Sequence, residues 1–219
     1  MKYDWSVVWQ YRDQLFDGVV VTVLLTVITM AVAIPGGIAV MMLRQSKLKQ
    51  LNWAGTFFVE SFRNLPLILL IYWAFYVLPI IVEWTISPVA TGVTALALAI
   101  SAYNAETFRA GVNSIRKGQS DAALALGMSR WQVMHRVILP QAVRRILPVL
   151  ASTWVSLFKD TSLVSVIAVG DLAYNAMQVR SQTFRILEML TAMAVIYWCL
   201  GYPQAKLVDW IHRKYGAKE

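Results

Sequence analysis

The sequence predicts an all-α integral membrane protein of about five transmembrane helices, forming a single domain over residues 1–219. Three observations predict it. Hydrophobic residues make up 58% of the chain and charged residues 15%, against roughly 45–50% and about a quarter in soluble domains. The mean hydropathy is +0.55. Uncharged runs approaching the length that a bilayer needs, about 20 residues, recur along the chain. So much apolar surface excludes disorder and argues against an ordinary soluble enzyme. The lone Cys199 allows no intrachain disulfide and no cysteine-based metal site.

Taken in order, the first eighteen residues carry Lys2, Asp4, Arg12, Asp13 and Asp17, with neither an apolar core nor a small-residue cleavage site. They do not read as a signal peptide, so the first span is expected to be permanent. That span is Gly18 to Leu43, free of charge. The second is Leu65 to Val82, with Trp53 to Phe62 extending it backwards. The third is Ile86 to Ala105. The fourth, Ile146 to Phe158, follows the basic pair Arg144 and Arg145. The fifth runs from Met189 to Leu200 and on to Trp210, interrupted by Lys206 and Asp209. Trp5, Trp9, Tyr11, Trp53, Trp84, Trp210 and Tyr215 fall near span ends, where amphipathic rings prefer the headgroup level. Trp73 and Trp154 fall deeper and are expected to pack between helices.

Orientation follows from the basic residues. Arg44, Lys47 and Lys49 follow the first span. Arg116, Lys117, Arg130, Arg136, Arg144 and Arg145 lie between the third and fourth, and Lys206, Arg213, Lys214 and Lys218 close the chain. With five spans these regions share one side, so the positive-inside rule places the N-terminus outside and the C-terminus in the cytoplasm. This asymmetry accounts for the formal charge of +8 without nucleic-acid binding, the usual inference at a pI of 9.7.

The longest polar interruption, about residues 114–140, has helical punctuation. Ser120 can cap a helix with Asp121 favourable at its start. Asp121-Ala122-Ala123-Leu124-Ala125-Leu126 then ends at Gly127, which adopts a left-handed closing conformation at low cost. Ser129 caps a second helix from Arg130 to about Val137, and Pro140 marks the next break. On these features alone the segment is two short helices pushed out of the bilayer, and an elbow lying on the lipid surface is the simplest use for them.

Its spacing resembles a known loop. Asp121-Ala122-Ala123, three residues, Gly127, nine residues and Val137-Ile138-Leu139-Pro140 is similar to the EAA loop of ATP-binding-cassette importer permeases. That loop reads Glu-Ala-Ala, three residues, Gly, nine residues, Ile, one residue, Leu-Pro. Asp121 and Val137 are the departures, and each keeps charge or apolar character. Four further segments resemble the polar amino-acid permeases: Asp17-Gly18 with Thr22 and Thr26; Phe62-Arg63-Asn64-Leu65-Pro66-Leu67; Ala102-Tyr103-Asn104-Ala105-Glu106-Thr107-Phe108-Arg109-Ala110-Gly111; and Lys159-Asp160-Thr161-Ser162-Leu163. The resemblance implies the type I ABC importer permease fold, with the loop as a coupling helix docking on an ATPase through Asp121, Ala122, Ala123, Leu126, Gly127 and Arg130. It implies a cytoplasmic ATPase dimer, a second permease chain (identical or paralogous), an extracytoplasmic amino-acid-binding protein, and a bacterial inner-membrane location. The chain has no Gly-x4-Gly-Lys-Ser/Thr loop. It is therefore expected to be no enzyme and to bind no cofactor itself, with ATP and Mg2+ held by the partner ATPase.

Transport of a zwitterion needs an acceptor for its ammonium and donors for its carboxylate, and polar groups at membrane depth usually face a cavity or one another. Glu106 or Asp160 suits the first role. Arg109, Lys159, Thr161, Ser162, or backbone amides freed near Pro66 suit the second; Tyr103 joins this candidate site through its motif. The competing use for these charges is internal salt bridges, with Glu60–Arg63 and Glu106–Arg109 at helical spacing. Lys159 and Asp160 point about 100° apart on a helix and are expected to have different partners. Thr161 and Ser162 serve equally well to satisfy a helix start. Asp171, Arg180, Arg185 and Glu188 fall outside or line the outer mouth; the region resembles the family's extracytoplasmic gate and the docking surface for a binding protein, and a short amphipathic helix at the interface is the equal alternative. His135 and His212 read as interfacial side chains. The Phe62–Pro79 segment and Tyr3-Asp4-Trp5-Ser6 look closest to glutamate/aspartate permeases; basic amino acids, histidine or glutamine are the alternative cargoes. A secondary, ion-coupled transporter is the other mechanism, but it predicts an internal repeat that this chain does not show.

Overall fold

The computed structural model describes residues 3–215. Lys2 and Lys218, counted among the flanking charges, lie outside the described residues. The elements are α-helical throughout: α1 Ser6–Gln10, α2 Arg12–Arg44, α3 Lys49–Asn64, α4 Leu67–Tyr72, α5 Leu78–Val82, α6 Pro88–Asn113, α7 Lys117–Ala125, α8 Arg130–Gln132, α9 Leu139–Asp160, α10 Leu172–Thr183 and α11 Ile186–Tyr215. A π-helical turn, Trp73–Val77, joins α4 to α5, a second, Val133–Ile138, joins α8 to α9, and a 3-10 segment, Thr161–Ile167, follows α9.

Helices α2, α6 and α11 are each long and apolar enough to cross a membrane, and α3 with Leu67–Val82 makes a fourth candidate. The expected fourth span lies within α9, whose amino end carries Arg144 and Arg145; α9 is not among the described helices apolar enough over a membrane's length to cross it. The second span departs from expectation. It is not one rod: α3 and Leu67–Val82 meet at 109°. Leu65 is extended (φ −92°, ψ 139°) and Pro66 stands at the start of α4. The residue before a proline is forced out of helical conformation by the pyrrolidine ring, and a bend follows.

Helix α6 is the axle. Pro88 occupies its first turn, where a missing N–H costs nothing, and the Ser87 hydroxyl accepts from the Ala90 N–H at 3.3 Å. Its small residues Ala95, Ala99, Ala102 and Ala105 are buried and let neighbours approach, the packing mode lipid favours. The main core joins Leu25 and Met30 of α2, Ile71 of α4, Leu96 and Ile100 of α6, Leu157 of α9, and Val164 beyond it. A second cluster of Val7, Leu15, Leu172, Val179 and Met189 ties α1, α10 and the start of α11 together at one end of the bundle. Phe108, Ile115, Ala142 and Ile146 close the other end, beside α7. Trp154 packs as expected, its indole N–H donating to Gln204 Oε1 at 2.8 Å. Trp73, expected between helices, is instead 45% exposed on the first π turn.

Candidate functional site

The loop between α6 and α9 is built from its caps. Helix α7 begins at Lys117, earlier than the predicted start, with Arg116 in the capping position and Ser120 inside the helix. Buried Ile115 packs against Phe108, Ala142 and Ile146, so the chain has already turned before Ser120 is reached. The far end closes as predicted. Gly127 has φ +80°; its N–H donates to Leu124 O at 2.9 Å and the Met128 N–H to Ala123 O at 3.2 Å, the paired bonds of a Schellman ending. Ser129 and Gln132 then form a reciprocal capping box. Pro140 does not break the chain there: α8 runs through the π turn Val133–Ile138 into α9, with Pro140 as its second residue. Asp121, Ala122, Leu126, Gly127 and Arg130 are exposed, Leu126 by 84%, whereas Ala123 is buried against the rest of the chain.

Near this loop end, Glu106 of α6 collects three guanidinium groups. Arg109 chelates it, with Nη2 at 2.7 Å and Nε at 3.1 Å. Arg44, at the end of α2, also donates to it, and Arg63 Nη1 lies 4.0 Å away. Arg44 reaches Glu60 as well, at 3.8 Å. The expected Glu106–Arg109 pair therefore forms, while Glu60 and Arg63 are engaged elsewhere. The Arg63 guanidinium also lies 5.6 Å from the Tyr103 ring centroid, and the Tyr103 hydroxyl donates to Arg63 O at 3.3 Å. The cluster ties α2, α3 and α6 together.

Beside it opens a cavity of about 490 Å³. The α3–α4 bend supplies Phe62, Leu65 and Leu67; α6 supplies Ala99, Ile100, Tyr103 and Thr107; α9 supplies Val149, Ser152, Thr153, Ser156 and Asp160. Ile100 lies 12 residues along the 26 of α6, about 18 Å from its start at 1.5 Å per residue, so the cavity opens beside the middle of that helix. Among the described residues, Asp160 is its only charged lining residue. A second cavity of about 540 Å³ continues toward the loop end, lined by Glu106, Ser114 and Arg145 among others; Thr107 and Val149 line both.

The structure thus brings Tyr103 and Asp160 together, with Pro66 in the bend that forms the wall. Glu106 and Arg109 stand apart in the ion cluster. Thr161 is fully buried and donates to Phe158 O at 2.8 Å. Ser162 donates to Lys159 O at 2.7 Å. Both hydroxyls satisfy carbonyls at the end of α9 rather than amides at a helix start, and neither lines the cavity. Lys159 points to a separate groove with Val155, Tyr197, Trp198 and Tyr202, as the 100° offset from Asp160 requires. Sequence reasoning missed Ser152, Thr153, Ser156 and Thr107. The signal was present in α9: Val149, Ser152–Thr153, Ser156 and Asp160 repeat at three or four residues, one polar stripe on a helix otherwise read as apolar.

At the opposite end Asp171 caps α10, its carboxylate accepting from the Tyr174 N–H at 2.8 Å and from the Tyr197 hydroxyl at 3.4 Å. It is fully buried. Desolvation outweighs those hydrogen bonds and pushes its pKa up to about 6. Glu188, also buried, accepts from the Asp4 N–H at 2.9 Å and faces Arg185 at 3.6 Å. Phe184 holds a left-handed backbone (φ 57°) and is 85% exposed.

The family model of the binding-protein-dependent transport system inner membrane component matches residues 11–216. The chain is 32% identical over 220 residues to the glutamate/aspartate import permease protein GltK of Escherichia coli, covering 97% of this chain and 98% of that one. It is 34% identical over 198 residues to the glutamine transport system permease protein GlnP of Escherichia coli, covering 90% of each. A crystal structure of an amino acid ABC transporter with histidines superimposes with a TM-score of 0.92 at 29% identity, over 98% of this chain and all of that one. An inward-facing structure of the MetNI methionine ABC transporter shares the fold at a TM-score of 0.75 and 21% identity, over 94% and 98% of the two chains.

Proposed function

The chain belongs to the family of binding-protein-dependent transport system inner membrane components, the non-catalytic permease subunits of ABC importers, and on that premise we propose that it carries polar amino acids, with glutamate and aspartate as its cargo. The observation that carries the reading is the cavity beside the middle of α6 with Asp160 among the hydroxyls of Tyr103, Thr107, Ser152, Thr153 and Ser156. The carboxylate accepts a substrate ammonium, and the hydroxyls accompany its carboxylate. The likeness to the glutamate/aspartate relative over nearly the full length of both chains supports the acidic cargo. Cationic or neutral amino acids form a second reading, favoured by the absence, among the described residues, of any lysine or arginine from the lining of that cavity.

In this scheme α7 and the capped turn after it dock on a cytoplasmic ATPase that holds ATP and Mg2+. A rigid helix ended by Gly127 transmits ATPase closure better than a slack loop would. The N-terminus faces outward and the C-terminus the cytoplasm, as the positive-inside rule directs. A second permease chain completes the membrane part, and an extracytoplasmic protein delivers substrate near α10. The test is ATP hydrolysis by the reconstituted complex with its binding protein across an amino-acid panel. Stimulation by glutamate and aspartate alone supports the acidic cargo. Stimulation by arginine, histidine or glutamine keeps the importer and replaces the cargo. No associated ATPase overturns the reading.

A further inference from the structure

Three successive turns of α3 touch one residue of α2. The Asn52 amide donates to Arg44 O, a Cβ on Gly55 would stand 2.8 Å from the Arg44 N, and Glu60 faces the Arg44 guanidinium at 3.8 Å. Asn52 to Glu60 is about 12 Å of helix, so α3 crosses the end of α2 and does not run back along it. Its far end stays at the same level, with Arg63 Nη1 4.0 Å from the carboxylate that Arg44 also binds. Leu67–Val82, whose Ile71 packs with Leu96 and Ile100 of α6, meets α3 at 109°. A helix set across the spanning ones lies in the membrane plane. The residues of α3 divide accordingly. Buried Gly55 and Val59 face the bundle. Lys49, Asn52, Thr56, Glu60 and Arg63 recur at three or four residues as a polar stripe, and Leu51, Ala54, Phe58 and Phe62 recur likewise as an apolar one. Trp53 and Phe57, stacked 5.5 Å apart and both exposed, stand on the edge away from the bundle. This is the division of a helix with one side in water and the other in acyl chains. Lys47 and Lys49 are exposed at its start, and among the described residues neither ammonium has an ion pair or a hydrogen bond.

We propose that α3 lies flat in the cytoplasmic surface of the membrane, and that Lys47 and Lys49, beside Trp53, seat the headgroup of an acidic phospholipid. The side of the membrane rests on the orientation proposed above; the surface and its lipid are additional. The charges choose the lipid. A zwitterionic headgroup carries its own cation beside its phosphate, whereas an acidic one leaves a net negative charge for two free ammonium groups. Trp53 sits at headgroup level, where indole rings anchor. The arrangement gives the ion cluster an arm held by lipid. Glu60 and Arg63 travel with α3, so parting Arg63 from Glu106 slides a helix along the surface and drags no charge through hydrocarbon.

The test is a depth scan of the full chain in vesicles of phosphatidylcholine and phosphatidylglycerol. In a Cys199→Ser background, Gln50→Cys, Trp53→Cys, Phe57→Cys and Ser61→Cys each carry a nitroxide, and collisions with oxygen and with a water-soluble nickel complex give the depth of each. A flat α3 is expected to put all four at one depth near the headgroups. A spanning α3 sinks steadily, by about 16 Å from Gln50 to Ser61, and that result overturns the proposal. The seat is read from a fluorophore on Gln50→Cys, quenched by lipid bearing a nitroxide. Labelled phosphatidylglycerol is expected to reach half-quenching at about a third of the fraction that labelled phosphatidylcholine needs, and Lys47→Gln with Lys49→Gln to abolish the difference. Equal quenching by the two lipids, or a preference that survives the double substitution, overturns the seat. If the cysteine variants do not accumulate, the lysine pair alone is compared with the parent by the phosphatidylglycerol that each retains through purification, and equal retention overturns it likewise. None of these measurements uses transport or ATP, so lost uptake counts only against the proposed function.

Discussion

At the residue scale, the same charge type serves two unlike purposes. Glu106 is held by three guanidinium groups, and its removal leaves them facing one another. Glu106→Gln is expected to lower the stability of the purified chain by about 2 kcal/mol, the scale of a lost charged hydrogen-bond set, seen as a lower melting temperature in detergent. Asp160→Asn is expected to leave melting nearly unchanged while reducing uptake at least tenfold, because no arginine depends on it; unaltered uptake kinetics would remove Asp160 from the path. Asp171 differs again. Its folded-state pKa is raised from 3.8 to about 6, so between those values the folded chain keeps a proton that the unfolded chain releases. Its contribution to stability therefore falls as pH rises through that window, by at most about 3 kcal/mol. Asp171→Asn keeps the cap acceptor and is expected to flatten that part of the melting-versus-pH curve relative to the parent; an unchanged difference between pH 4 and pH 7 would refute this. The roles of Thr161 and Ser162 were not legible in the sequence, because a hydroxyl at a helix end serves a carbonyl or a ligand equally well and only the fold decides.

At the scale of elements, the bundle depends on backbone approach. A Cβ on Gly37 would stand 2.6 Å from Asn104 Cβ and 3.2 Å from the Ala105 N, and one on Gly36 would stand 2.4 Å from Ser101 Oγ. The serine hydroxyl can rotate away, but the carbon and the backbone nitrogen cannot. Gly37→Ala is therefore expected to push α2 from α6 at a cost of about 1–3 kcal/mol, with Gly36→Ala milder; equal melting temperatures for the two variants would contradict this account. The existence of α2 and α6 was readable from uncharged length alone, that of α11 from an apolar run interrupted by Lys206 and Asp209, and the Gly127 ending from residue chemistry alone. The 109° bend was only half readable. Pro66 announced a disturbance, but its angle is set by how α4 packs on α6 beneath it. The start of α7 was misplaced because Ile115, through tertiary contact, turns the chain before the favourable cap at Ser120 is reached.

At the scale of the whole molecule, the charge distribution and the polar stripe of α9 point to one working arrangement. The candidate path is polar where α9 faces α6, and the ion cluster at its loop end holds α2, α3 and α6 together. Opening that end requires these helices to part, which a long-lived network of surface pairs resists weakly and one partly buried cluster resists more. Which end of the bundle faces the cytoplasm is expected from the basic residues. Those after α2, around α7 to the start of α9, and at the end of α11 outnumber those at the α1 and α10 end, where Arg12, Arg180 and Arg185 stand beside Asp4, Asp13, Asp17 and Glu188. Basic residues are retained on the cytoplasmic side during insertion. A fluorescent reporter fused after the last residue is therefore expected to mature and a phosphatase fused there to stay inactive. In a Cys199→Ser background, Ser181→Cys in exposed α10 should react with a membrane-impermeant maleimide added outside intact cells, and Arg130→Cys in the loop should react only after lysis. The reverse labelling pattern would invert the molecule, place the coupling loop outside, and leave an ATPase nothing to grip.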